Sequence, residues 1–109
     1  MTDRKKILSK IKRVVTKVVP GARIILYGSE ARGDSGTDSD IDLLILVDKD
    51  ELTYDEITKI TYPLFDIEFD TGVLISPLVR TRKQWENRPF KTPFYLNVMN
   101  EGIVLYSTF

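Results

Sequence analysis

The chain has 109 residues, 42% of them hydrophobic and 10% aromatic, which suits a single globular domain over 1–109 and argues against disorder. Cysteine and histidine are both absent, so disulfides, thiolate zinc sites and imidazole chemistry are excluded, and carboxylates are the main chemical resource. Sixteen Lys/Arg balance sixteen Asp/Glu unevenly: residues 1–19 hold seven bases and one acid, whereas residues 28–70 hold thirteen acids against Arg32, Lys49 and Lys59.

Such an acidic middle disfavours nucleic acid, whose backbone needs basic neutralisation, and makes sense where metal ions reverse the local charge. No apolar stretch approaches membrane-spanning length, and the first ten residues are polar and basic. The expectation is a cytoplasmic protein with no membrane partner.

In chain order, residues 3–19 read as an amphipathic helix. Ile7, Leu8, Ile11, Val14, Val15 and Val18 recur at three- and four-residue spacing, with the lysines mostly elsewhere, and Pro20-Gly21 stops the run. A first strand is expected over 23–27 and a second over 41–47. The second is apolar at nearly every position past Asp42, as a central strand covered on both faces would be. Between them a short helix opens at Ser29, and residues 33–39 form a loop of small and acidic residues.

A second helix is expected over 50–62, with Thr53-x-x-Glu56 as a capping box and Pro63 as its end. Residues 65–79 read as a third strand or a long bent pair, bent at Gly72 and Pro77. A helical turn over 81–87 with Trp85 packed inward, a helix over 93–101 closed by Gly102, and a short strand over 103–106 complete the pattern.

Residues 28–42, GSEARGDSGTDSDID, organise the rest. Asp40 and Asp42 flank one apolar residue, so on a strand they stand side by side on one face. Two such carboxylates repel unless a cation lies between them, and they suit a hard ion such as Mg²⁺ that also holds substrate phosphates. At the other end, Gly28 lets the backbone approach a ligand closely, Ser29 offers a hydroxyl, and the start of a helix leaves N–H groups free for a phosphate. Gly-Ser alone is often a turn, and Asp-x-Asp alone is often a solvated edge. Their joint occurrence between two apolar runs is far more specific.

On Gly28, Ser29, Asp40 and Asp42, with Ala31-Arg32-Gly33 as the filling, the chain resembles the nucleotidyltransferase superfamily of DNA polymerase β-like fold, and among its members the minimal nucleotidyltransferases. The resemblance implies an α/β (α+β) fold with a small mixed β-sheet flanked by helices. It also implies transfer of a nucleoside monophosphate, AMP first, from NTP to a hydroxyl. Asp40 and Asp42 would hold two Mg²⁺ and act in catalysis, ATP would be the substrate, and Gly28, Ser29, Arg32 and Ser39 would touch the nucleotide. For Arg32, pairing with a nearby acid is the equal alternative.

Active members carry a third carboxylate on a neighbouring strand. Asp66, Glu68 and Asp70 alternate with Ile67 and Phe69, so on a strand they share a face; Asp70 is the expected third ligand, with Glu68 as the alternative. Counting back from the turn near Thr81 instead lands on Ser76, which cannot replace a carboxylate. The chain is also similar to small antitoxins that adenylylate a separately encoded, helical HEPN-type toxin, which implies such a partner. Two other readings are a non-catalytic module of the same fold that masks a helical partner, and an aminoglycoside-modifying enzyme, which needs an acceptor domain.

Overall fold

A computed structural model of the chain describes residues 4–33, 40–87 and 91–109. Its helices are α1 (Arg4–Val18), α2 (Ser29–Arg32), α3 (Tyr54–Thr71), α4 (Arg82–Glu86) and α5 (Pro93–Glu101); its strands are β1 (Ala22–Tyr27), β2 (Ile41–Val47), β3 (Ile75–Thr81) and β4 (Ile103–Ser107). The strands form one mixed sheet in the order β3-β2-β1-β4. β1 pairs antiparallel with both β2 and β4, and β2 pairs parallel with β3. A parallel pair needs a long crossover, which α3 supplies.

The uninterrupted apolar run of β2 has the cause expected of it. Ile41, Leu43, Ile45 and Val47 point to a core formed with Ile7, Ile11 and Val15 of α1 and Ile60, Leu64 and Ile67 of α3. Leu44 and Leu46 point the other way, to a smaller core with Ile25, Trp85 of α4 and Val98 of α5. A strand with helices on both faces has no polar side to show, so it reads apolar throughout. Pro77 sits on β3, an edge strand, where its missing N–H is tolerated.

Residues 65–71 correct the sequence reading. They continue α3 through Pro63 to Thr71 and are not strand. Ile57, Ile60, Leu64 and Ile67 keep helical spacing across the proline, and the last three of them are buried. Burying two further large apolar side chains beyond Pro63 outweighs one lost hydrogen bond and its clash, a penalty of about 3 kcal/mol. The helix ends instead at Gly72, left-handed at φ 74°, whose N–H donates to the Glu68 carbonyl at 2.8 Å. The capping box at Thr53 and Glu56 is present as expected.

Candidate active site

Two strands and a tight turn assemble the site at one end of the sheet. Tyr27, the last residue of β1, lies opposite Asp42 in the antiparallel register, and Ser76 of β3 lies opposite Asp42 on its other side. Asp42 shares the face of Leu44 and Leu46, the side covered by α4 and α5. Asp40, two residues earlier, is exposed just before the strand begins.

Gly28 turns the chain from β1 into α2 at φ 70° and ψ −148°, a region open almost only to glycine. A Cβ on Gly28 would stand 2.6 Å from Asp42 Oδ2. The Gly-Ser turn and the Asp-x-Asp strand are therefore in contact: the carboxylate occupies the space where a side chain at position 28 would be. Arg32 N donates back to the Gly28 carbonyl at 3.1 Å, and Gly33, left-handed at φ 75°, closes the helical turn.

The electrostatics point the same way. The Asp42 carboxyl is pushed above its ordinary value, first by burial and then by the charge of Asp40, with Arg32 acting in opposition. Burial, followed by the charge of Asp42, likewise raises the Tyr27 hydroxyl. Two crowded carboxylates, one of them half-buried, form an oxygen-rich site of excess negative charge, so the residues present fit a divalent cation shared with phosphate oxygens.

Arg32 forms an ion pair with Glu101 of α5, at 3.6 Å. Ser39, expected to touch the nucleotide, lies outside the described residues. Asp66, Glu68 and Asp70 do not share a strand face, because helical geometry turns residues two apart to well-separated directions. Asp70 is exposed on α3, which packs on the face of the sheet opposite to Asp42. Glu68 is occupied differently: its Oε1 accepts from Ile75 N at 2.9 Å and ties the end of α3 to the start of β3.

Among the described residues no three carboxylates gather as metal ligands, and Asp70 stands on a helix and not on the strand expected for it. The residue facing Asp42 from β3 is Ser76. The signal that would have separated these outcomes was the helical spacing of Ile60, Leu64 and Ile67. Reasoning from the motif also missed Phe94, Asn97 and Glu101 of α5, which line a cleft beside Gly28 and Arg32. Their spacing of three and four residues was visible, but their approach to residue 28 depends on where α5 docks.

The fold is a mixed sheet with a glycine turn packed against a carboxylate of β2, and residues 8–103 match the model of the nucleotidyltransferase domain; the chain belongs to that family and is a nucleotidyltransferase. Among its relatives is a Methanocaldococcus jannaschii protein designated "Putative protein adenylyltransferase MJ0604", 39% identical over 85 residues that span 77% of each chain.

Two solved structures share the fold. One is a toxin-antitoxin with AMP-PNP, with a TM-score of 0.65 and 20% identity over 93% of this chain and 73% of that one. The other is a tri-AMPylated Shewanella oneidensis HEPN toxin in complex with an MNT antitoxin, with a TM-score of 0.61 and 18% identity over 97% of this chain and 74% of that one. Among the described residues no helix is long and apolar enough to cross a membrane.

Proposed function

We propose that the chain transfers AMP from Mg·ATP to a hydroxyl of a separately encoded, helical HEPN-type protein, in the cytoplasm where ATP is plentiful. The observation that carries this reading is the contact between Gly28 and the Asp42 carboxylate, with Asp40 alongside. It brings a phosphate-binding turn and a cation-binding pair within reach of one triphosphate. The name of the archaeal relative supports protein as the acceptor, and the toxin-antitoxin neighbours support the partner class.

In this reading Asp40 and Asp42 would hold Mg²⁺, which when bound would supply positive charge against the phosphate oxygens. The sequence resemblance implies two ions, which the Asp40 and Asp42 carboxylates would share. Gly28 and Ser29 hold the β- and γ-phosphates through backbone N–H groups and the Ser29 hydroxyl. The acceptor oxygen bonds to the α-phosphorus, the bond to the bridging oxygen breaks, and pyrophosphate leaves with that electron pair. The chain has no histidine, and among the described residues no third carboxylate gathers at the pair, so in this reading the acceptor's proton passes to solvent.

The test is transfer of label from α-labelled ATP to a candidate helical HEPN-type partner protein. Wild type is expected to label it. Asp40→Asn and Asp42→Asn should lose at least about a hundredfold in rate with the fold retained, as expected when a pre-organised charge site is dismantled. Asp70→Asn should stay within about twofold of wild type, since surface substitutions away from a site change little. A wild type that binds the helical protein and labels nothing would defeat the reading.

A further inference from the structure

We infer that the cleft between α2 and α5 is a nucleobase subsite in which Phe94 and Asn97 select adenine. This rests on the nucleotidyl-transfer reading of the neighbouring site and adds the part of the substrate that site does not address. The cleft has a volume of about 120 Å³ and is bounded by Tyr27, Gly28 and Arg32 on one side and by Phe94, Asn97 and Glu101 on the other. Because Gly28 borders both the cleft and the Asp42 carboxylate, a nucleotide held by its phosphates at Gly28 and Ser29 has its nucleoside within reach of the cleft. The β3 side of the site, at Ser76, is left for the acceptor.

The lining is suited to a base. Phe94, Asn97 and Glu101 are three and four residues apart on α5, so they form one stripe along its surface. The Phe94 ring packs edge-on against Tyr27, with centroids 5.3 Å apart and planes at 83°. It also stands edge-on to Trp85 at 6.1 Å. These contacts fix the ring while it stays 38% exposed, which leaves area on which a base can stack.

One helical turn further on, the Asn97 amide is exposed and makes no hydrogen bond among the described residues. An amide can both donate and accept, the pattern that matches the ring nitrogen and exocyclic amine of adenine. Beyond it, Glu101, held by Arg32 at 3.6 Å, presents only acceptors. With the N6/N7 edge of the base on Asn97, a carboxylate there accepts from the adenine amine and would face the carbonyl oxygen of a guanine seated the same way. Cytosine also carries an amine but offers a smaller stacking surface. The resulting preference is for ATP over GTP and over the pyrimidine nucleotides.

Calorimetric titration of the full chain with Mg²⁺ and either ATP, CTP, GTP or inorganic tripolyphosphate tests this. Wild type should bind ATP at least about tenfold tighter than GTP, within the range of one good amide–base pair. Asn97→Ala should bring the ATP-to-GTP ratio within about threefold of one, and Phe94→Leu should weaken ATP binding about tenfold; neither should change tripolyphosphate affinity. If tripolyphosphate binding falls in parallel, these residues support the fold and the assignment is wrong. An unchanged ATP-to-GTP ratio in Asn97→Ala overturns it equally. Wild type that binds tripolyphosphate but ATP no more tightly defeats the base subsite alone; wild type that binds neither defeats the phosphate reading and the subsite with it.

Discussion

Gly28 and Asp42 are fourteen positions apart in the sequence and touch in the fold, so each limits what the other can be. Replacing Gly28 with alanine places a Cβ against Asp42 Oδ2 and leaves a non-glycine residue at φ 70°, ψ −148°. Strain of that kind costs about 1–3 kcal/mol, and the carboxylate must swing away to admit the methyl group. Gly28→Ala is therefore expected to lower Tm by several degrees and to weaken Mg·ATP binding more than tenfold, read by melting and calorimetry on one preparation.

Asp42 carries a penalty of its own. Its folded-state carboxyl titrates above the ordinary value, so ionisation opposes folding at neutral pH, and that opposition fades as pH falls through the raised value and is gone below the ordinary one. Asn at this position cannot ionise. Asp42→Asn should raise the Tm of the metal-free protein at neutral pH while abolishing the further rise that Mg·ATP brings to wild type. A lower metal-free Tm would show that the carboxylate supports the fold instead.

At the scale of elements, α3 decides most of what motif reasoning left open. Its start is fixed by a reciprocal cap: Glu56 N donates to Thr53 Oγ1 at 3.1 Å, and Thr53 N donates to Glu56 Oε1 at 3.2 Å. Lys49 adds a hydrogen bond to the other oxygen of Glu56. The Lys49 bond first, and then the Thr53 backbone, hold the Glu56 carboxyl below its ordinary value. A depressed carboxylate contributes stability that is present above its unfolded value and lost as pH falls through the folded one. The Tm of wild type should therefore fall more between about pH 5 and about pH 3 than that of Glu56→Gln, with the two curves meeting at the acid end. Equal slopes would mean that the cap makes no net contribution.

Across the whole molecule, two unequal cores divide the work. The larger, under α1 and α3, holds the sheet; the smaller, under α4 and α5, holds the face on which the site lies. The seating of α5 depends on Gly102, whose N–H donates to the Val98 carbonyl at 2.8 Å. A Cβ there would collide with that carbonyl oxygen and come 2.7 Å from Ile25 Cγ2 of β1. The φ of −62° is ordinary, so the restriction is one of space alone. Gly102→Ala should destabilise the protein by about 1–3 kcal/mol, as overpacking does, and should lower Tm without the loss of phosphate affinity expected of Gly28→Ala. Denaturant melts alongside tripolyphosphate titration would separate the two effects.

What the sequence alone determined is local or periodic. Apolar spacing on α1, the unbroken apolar run of β2, the cap at Thr53 and Glu56, and the Gly-Ser and Asp-x-Asp pair could all be recognised, because each is set by residues within a few turns of one another. Residues 65–71 resisted because alternating acids satisfy a strand period while Ile60, Leu64 and Ile67 satisfy a helical one, and Pro63 argued for a stop. Only packing against the sheet resolved that competition, and with it the fate of Asp70 and Glu68. Tertiary structure alone also set Ser76 opposite Asp42, laid the carboxylate against Gly28, and carried Phe94, Asn97 and Glu101 to the edge of the site. Those are contacts between segments distant in the chain, fixed by strand register and helix docking, and no local pattern encodes either one.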